Sequence, residues 1–250
     1  MFIIDTSPRA VANGSMLAAL HAVQHSIRQL AQLRPSSRVA VLTFHHRVQF
    51  YYLRPEAPEP ISVFVVHPDD PVAPLPADKW LLGVSTHLAI LESLLYRLPD
   101  LAVAAADPGI TGACPTAAVR AAQLGLASTG GHVFLFTTST PDIGYGKYQP
   151  FVSSAAYGTA EELKLYGHID EIIKKNPTSD ERLDLQVYLE LTEECSKQQV
   201  AVTVIMLLKN VLVEPANGPV GPHSPSHTDP KEHHLTLVRV RTQLITCGED

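Results

Sequence analysis

Three continuous apolar runs constrain this chain most: Phe2-Ile3-Ile4, Val39-Ala40-Val41-Leu42 and Val133-Phe134-Leu135-Phe136. The first passes directly into Asp5-Thr6-Ser7 and the last into Thr137-Thr138-Ser139. A strand without polar alternation is apolar on both sides, so it must be buried on both faces of its sheet. Between the runs lie amphipathic stretches, for example Met16, Leu20, Val23, Ile27 and Leu30 at three- and four-residue steps. The combination predicts an α/β fold, a mostly parallel sheet with helices on both faces. Ligand chemistry in such folds collects where the strands end, which directs attention to Asp5-Thr6-Ser7 and Thr137-Thr138-Ser139.

Several function classes are disfavoured by composition. The 250 residues are 45% hydrophobic and 18% charged, ordinary for one soluble domain with a full core. A net charge of −6 and a pI near 6.0 give no field for gathering phosphates, so no nucleic-acid partner is expected. Cys114, Cys195 and Cys247 are odd in number and lack a C-x-x-C pair, which argues for a reducing compartment and against a disulfide framework or a cysteine zinc site. No apolar run approaches the roughly 20 residues of a membrane span, and the N-terminus lacks a charged n-region and a cleavage site. The chain reads as cytoplasmic, with room for a peripheral membrane role.

Along the chain, a helix starts at Asn13-Gly14-Ser15 and breaks at Arg34-Pro35-Ser36-Ser37. Val39 to Phe44 is a strand, hairpinned through His45-His46-Arg47 to Val48 to Leu53, and Ile61 to Val66 is another. Leu88, Leu91, Leu95 and Leu98 mark a helix that Pro99 should stop, and Pro115 opens the next, Thr116 to Leu126. Residues 141–180 read as a long flexible insertion with at most a short helix around Ile169 to Lys174. Leu185, Tyr188, Leu189, Thr192 and Cys195 then form one helical face, and Val200 to Met206 a strand. The expected division is a domain over 1–207 and a Pro/Gly/His-rich tail over 208–250, largely irregular, with a late strand within Leu235 to Ile245.

Seven local runs point to a family. They are Phe2-Ile3-Ile4-Asp5-Thr6-Ser7 with Gly14; Val41-Leu42-Thr43-Phe44 with Val48-Gln49-Phe50-Tyr51; Asp69-Asp70 with Pro74-Leu75-Pro76; Leu94-Leu95 with Leu98-Pro99; Gly130-Gly131 with Phe134-Leu135-Phe136; Ser139 with Pro141 and Gly144-Tyr145-Gly146-Lys147; and Glu194-Cys195-Ser196-Lys197-Gln198-Gln199-Val200. In this order, over roughly Met1 to Leu207, they resemble the trunk domain of the cargo-adaptor subunit of the COPII inner coat, the Sec twenty-four family. The Asp-Asp and Glu-Cys-Ser runs match the adaptor better than the sister subunit, Sec twenty-three. The resemblance implies a von Willebrand A-like (Rossmann-like) fold and no catalysis. It also implies partners: the sister subunit, cargo export signals, and the coat small GTPase indirectly. The place implied is the COPII-coated vesicle and the cytosolic face of the endoplasmic reticulum membrane. The family's zinc module, β-sandwich, helical and gelsolin-like parts are not found in this sequence, so no cofactor is expected.

The residue chemistry gives its own reading. A metal-binding von Willebrand A site needs Asp-x-Ser-x-Ser on one turn, completed by a Thr and an Asp from neighbouring loops, because a hard divalent cation requires several oxygens. Here Asp5 and Ser7 are followed by Arg9, and Thr138 stands where the second Asp is wanted. The expectation is a degenerate remnant that binds no metal, with Asp5 capping or pairing locally, Arg9 being one candidate partner. A nucleophile reading would recruit Cys195 or Ser7, but Cys195 faces inward on its helix and Ser7 lacks the Gly-x-Ser-x-Gly elbow. Gly144-Tyr145-Gly146-Lys147 is too short for a phosphate loop and reads as a turn. His223, His227, His233 and His234 read as a solvated tail.

A binding role draws on Tyr145, Tyr148, Phe151, Tyr157 and Tyr166, aromatics in the expected insertion. Acidic export signals would need a cation, for which Arg47, Arg54, Lys147 and Lys164 are available. The reading is therefore a non-catalytic coat component acting through protein contacts in endoplasmic reticulum to Golgi transport. A stand-alone von Willebrand A-type binding module is the alternative, and an α/β hydrolase-like enzyme a third.

Overall fold

In the computed structural model, residues 1–56, 61–105, 109–148, 159–160, 183–209 and 235–240 are described. Phe2–Asp5 forms β1, and the Ser7 hydroxyl caps the short helix α1 (Pro8–Ala12) by accepting the Ala10 N–H, with Pro8 in the first turn where its missing donor costs nothing. Gly14, at φ +79°, turns the chain into α2 (Ser15–Leu33), whose Met16, Ala19, Leu20, Val23 and Ile27 are buried. Then follow β2 (Arg38–Val39), β3 (Val41–Phe44), β4 (Val48–Leu53), β5 (Ile61–Val66), α3 (Ala77–Trp80), β6 (Leu82–Gly83) and α4 (Leu88–Ala105). The described chain continues with α5 (Pro115–Leu126), β7 (Gly131–Thr137), α6 (Leu183–Lys197), β8 (Val200–Lys209) and β9 (Leu235–Val240).

Among the described residues, seven strands form one sheet in the order β5-β4-β3-β1-β7-β8-β9, and β2 pairs with β6 apart from it. The central pairs β1–β3, β1–β7 and β7–β8 are parallel, while the flanking pairs β3–β4, β4–β5 and β8–β9 are antiparallel. Phe2 lies opposite both Val41 and Phe134, which brings the ends of β1, β3 and β7 level. Successive residues of β1 point to opposite layers. Ile3 joins Leu42, Phe44 and Leu135 beneath α3, α5 and α6, whereas Phe2 and Ile4 join Val41 and Phe136 beneath α1, α2 and α4. Ile3, Ile4, Leu42 and Phe44 are wholly buried, each contributing about 1.5–3 kcal/mol by leaving water.

The observed elements depart from expectation in four places. Pro99 does not stop its helix: α4 runs from Leu88 through it to Ala105. Leu94, Leu95 and Leu98 before the proline and Ala102 after it are all buried, so packing on both sides offsets the lost hydrogen bond. The Val39 to Phe44 run is divided: Val39 pairs with Leu82, next to Arg38 opposite Gly83, and only Val41 to Phe44 joins the main sheet. On α6 the inward residues are Leu191 and Cys195, with Tyr188 half-buried, while Leu189 and Thr192 are exposed. Leu183, Leu185, Val187, Leu189 and Leu191 alternate at period two, so the apolar pattern leaves the helix rotation open and contact with the sheet selects it.

The fourth departure is at the start of the expected insertion. Residues 141–148 are packed onto the domain, with Asp142 N–H donating to Ala113 C=O, Tyr145 N–H to Pro68 C=O and Tyr148 N–H to Pro141 C=O. Most of the remainder, 149–158 and 161–182, lies outside the described residues, as does most of the tail. Within the tail region β8 extends to Lys209, and β9 pairs with it from Val204↔Val240 to Lys209↔Leu235.

Candidate functional site at the strand ends

The sheet order leaves β1 toward β3 on one side and toward β7 on the other, and in open α/β sheets the crevice beyond such a point is where ligands bind. Parallel register brings Asp5, at the end of β1, beside Thr137 and Thr138, at the end of β7. Asp5 is 3% exposed. Its Oδ1 accepts the Ser7 N–H at 2.9 Å, and its Oδ2 accepts the Thr138 N–H at 3.0 Å and the Thr138 hydroxyl at 3.3 Å. Thr137 Oγ1 donates to the Ser139 C=O at 2.9 Å and accepts the Ser139 N–H at 3.1 Å. Ser7 and Ser139 bring their hydroxyls to 3.4 Å across the gap.

The carboxylate is thus consumed by protein donors. A buried carboxylate with two backbone N–H bonds is an anchor for the loops that supply them. Thr138, expected as a departing position, is the main donor to Asp5. Arg9 is exposed on α1, and among the described residues it forms no ion pair, so the local partner of Asp5 is Thr138 together with Ser7. Ser7 serves as the α1 cap. Among the described residues no group of three or more His, Cys, Asp and Glu converges to hold a metal ion.

Cys114 and His45 adjoin this cluster, and sequence reasoning did not single out either. The Cys114 N–H donates to the His45 C=O at 2.9 Å, tying the start of α5 to the β3–β4 turn. Burial, then the nearby Asp5 charge, pushes the Cys114 thiol up to about 12. His45 is buried, and burial first, then the neighbouring His46 and Arg47, brings it down to about 4. Burial likewise raises the Cys195 thiol. Both thiols stay protonated near neutrality, which is the wrong state for a nucleophile. The only signal for Cys114 lay in its place before Pro115.

The Gly144-Tyr145-Gly146-Lys147 run is a turn, as expected, and it works as a clamp. Gly144 and Gly146 have φ of +78° and +68°. The Tyr188 hydroxyl of α6 donates to the Gly146 C=O at 2.8 Å and lies 3.2 Å from Thr116 Oγ1 of α5. Arg120 of α5 stacks over the Tyr145 ring at 5.8 Å, donates to Gln123 Oε1 at 2.9 Å and pairs with Glu194 of α6. Of the cations considered for acidic signals, Arg47, Arg54 and Lys147 are exposed and Arg54 stacks on Tyr52 at 5.5 Å, while Lys164 lies outside the described residues. Phe151, Tyr157, Tyr166 and the four tail histidines are also outside them.

A mostly parallel sheet covered on both faces, with Asp5 and Ser7 at the end of its first strand, is the von Willebrand A-like class of α/β domain. The family model described as "Sec23/Sec24 trunk domain" matches residues 1–211, and the chain belongs to that family. Among curated relatives, "Protein transport protein SEC24 B" of Arabidopsis thaliana is 31% identical over 145 residues, covering 58% of this chain and 13% of the relative. "Protein transport protein SEC24" of Yarrowia lipolytica is 25% identical over 221 residues, covering 82% of this chain and 22% of the relative. "Protein transport protein Sec24A" of Homo sapiens is 25% identical over 210 residues, covering 83% and 17%. The chain therefore spans less than a quarter of the length of these relatives. The crystal structure of the human COPII-coat protein Sec24c superposes with a TM-score of 0.58 at 23% identity, covering 81% of this chain and 25% of that one, and bears out the fold.

Proposed function

We propose that this chain is a non-catalytic component of the COPII coat, acting through protein contacts as the trunk of a cargo adaptor in transport from the endoplasmic reticulum to the Golgi. The observation that carries the reading is the family match over residues 1–211, with Sec24 proteins among the curated relatives. The site agrees in kind: Asp5 is spent on holding loops together, and the buried thiols are protonated. The partner proposed is the Sec23-type sister subunit, with cargo export signals read by the assembled adaptor and the coat GTPase engaged through the sister subunit. The place proposed is the cytosolic face of the endoplasmic reticulum membrane. Among the described residues no helix is long and apolar enough to cross a membrane. No metal or cofactor is assigned to the reading.

The test is recruitment to liposomes carrying the activated coat GTPase. The chain should sediment with them when the sister subunit from the same source is present and stay in solution when it is omitted. Sedimentation that ignores the sister subunit, or none in its presence, would overturn the coat reading.

A further inference from the structure

The sequence places His21 and His25 four positions apart, and both fall within the single unbroken helix α2. Four positions is a little more than one helical turn, so the two side chains stand one above the other, with Cβ atoms roughly 5–6 Å apart. Met16, Ala19, Leu20, Val23 and Ile27 take the buried face of the helix, and both histidines are exposed. The other described histidines are each engaged through a ring nitrogen: His45 with His46, His67 with Asp69, His87 with Thr86 and His132 with Thr203. Among the described residues, His21 and His25 have no hydrogen-bond or ion-pair partner. We propose that this pair holds a divalent transition-metal ion of the zinc class, in a two-histidine site on the outer face of α2.

The donors select the ion. Neutral imidazole nitrogens bind zinc at about 2.0–2.1 Å, whereas Mg²⁺ and Ca²⁺ require oxygen ligands. Two bonds of that length to one ion need nitrogens about 3 Å apart, a spacing within reach of rings that rise from adjacent turns. A histidine pair at i and i+4 on one helix face is an established way of holding zinc. Because α2 is already fixed by its buried face, the second imidazole meets the ion at a high effective concentration once the first has bound it. Arg28, one turn beyond His25, carries a charge that would repel a cation, but it is paired with Glu92 of α4 at 2.5 Å. Among the described residues no third His, Cys, Asp or Glu converges with the pair, so water completes the coordination and the ion exchanges with solvent. The site is separate from the Asp5 cluster and does not rest on the coat reading.

The test follows the imidazole Cε1–H resonances of His21 and His25 by NMR in the full chain as Zn²⁺ is titrated. Both should shift together and saturate with one midpoint, and Mg²⁺ at the same concentrations should move neither. His21→Asn and His25→Asn, at exposed positions that leave the core untouched, should each weaken the response of the remaining histidine at least about tenfold. A chain carrying Ala22→His with His25→Ala keeps two imidazoles on exposed positions of α2 but turns them about 100° apart around the helix. It should bind no better than the single variants. No saturable shift, separate midpoints for the two rings, an unchanged response in either single variant, or full binding by the transposed pair would overturn the proposal. Zinc uptake that leaves these two resonances unmoved would overturn it equally.

Discussion

Thr138 donates both its backbone N–H and its hydroxyl to Oδ2 of Asp5, at 3.0 and 3.3 Å, across 133 positions of sequence. The end of β1 is thereby fastened to the loop leaving β7, with the Ser7 N–H taking the other carboxylate oxygen. At the position where a metal-binding relative of this fold would supply a second carboxylate, this chain supplies a donor, and the first carboxylate has turned to it.

Asp5→Ala would leave the Ser7 and Thr138 N–H groups without their acceptor. Each buried donor so orphaned costs about 1–3 kcal/mol, so urea denaturation should show a loss of about 2–5 kcal/mol, smaller for Asp5→Asn, whose amide oxygen still accepts one bond. Millimolar Mg²⁺ should leave the melting temperature of the unmodified chain unchanged within about 1 °C. A rise of several degrees would mean that the cation displaces the Thr138 donors.

His45 should make the fold acid-sensitive. Its ordinary value of 6.5 falls to about 4 in the folded chain, from burial first and then from His46 and Arg47. Above pH 6.5 it is neutral in both states and costs nothing. As pH falls from 6.5 toward 4 the unfolded chain takes up a proton that the folded chain refuses, and stability drops by up to about 3 kcal/mol at the lower limit. Denaturant midpoints measured between pH 7.5 and pH 4 should decline over this window, and His45→Gln should flatten the decline.

Three glycines with positive φ should respond differently to alanine. A Cβ at Gly144 would lie 2.7 Å from the Pro68 carbonyl oxygen, and one at Gly146 2.4 Å from Thr116 Cγ2. Nothing stands within 4 Å of a Cβ at Gly14. Gly14→Ala should therefore cost only the backbone strain, about 1 kcal/mol, while Gly144→Ala and Gly146→Ala should cost about 2–4 kcal/mol and loosen α6 in hydrogen exchange.

Pro99 sits inside α4, half-buried among Leu95, Leu98 and Ala102. Restoring the missing donor with Pro99→Ala should raise stability by about 1–3 kcal/mol, read as a higher denaturant midpoint at unchanged slope. A loss would indicate that the proline ring is needed by the packing of α4.

What was legible in the sequence follows the physics of each signal. Phe2-Ile3-Ile4 and Val133 to Phe136 had one reading, because an unbroken apolar run of strand length has to be covered on both sides. Pro99 misled because local chemistry forbids what four buried neighbours enforce. The rotation of α6 could not be read from a segment that alternates at period two yet folds as a helix. At the site, Asp5, Ser7, Thr137, Thr138 and Ser139 were visible as polar ends of apolar strands. Their bonding was not, since the Asp5–Thr138 contact depends on parallel register between distant segments. Cys114 and His45 carried no local pattern, and only the fold brings them beside Asp5. The packing of residues 141–148 was hidden because the glycines that permit a tight clamp also compose loops.

The most direct measurement is sedimentation velocity of the chain at micromolar concentration, alone and with an equimolar Sec23-type subunit from the same source. A single faster boundary with the mass of a one-to-one complex is the result predicted for a trunk that keeps its coat contact. Two independent boundaries from two folded proteins would contradict the coat role and leave a von Willebrand A-like domain with a different partner.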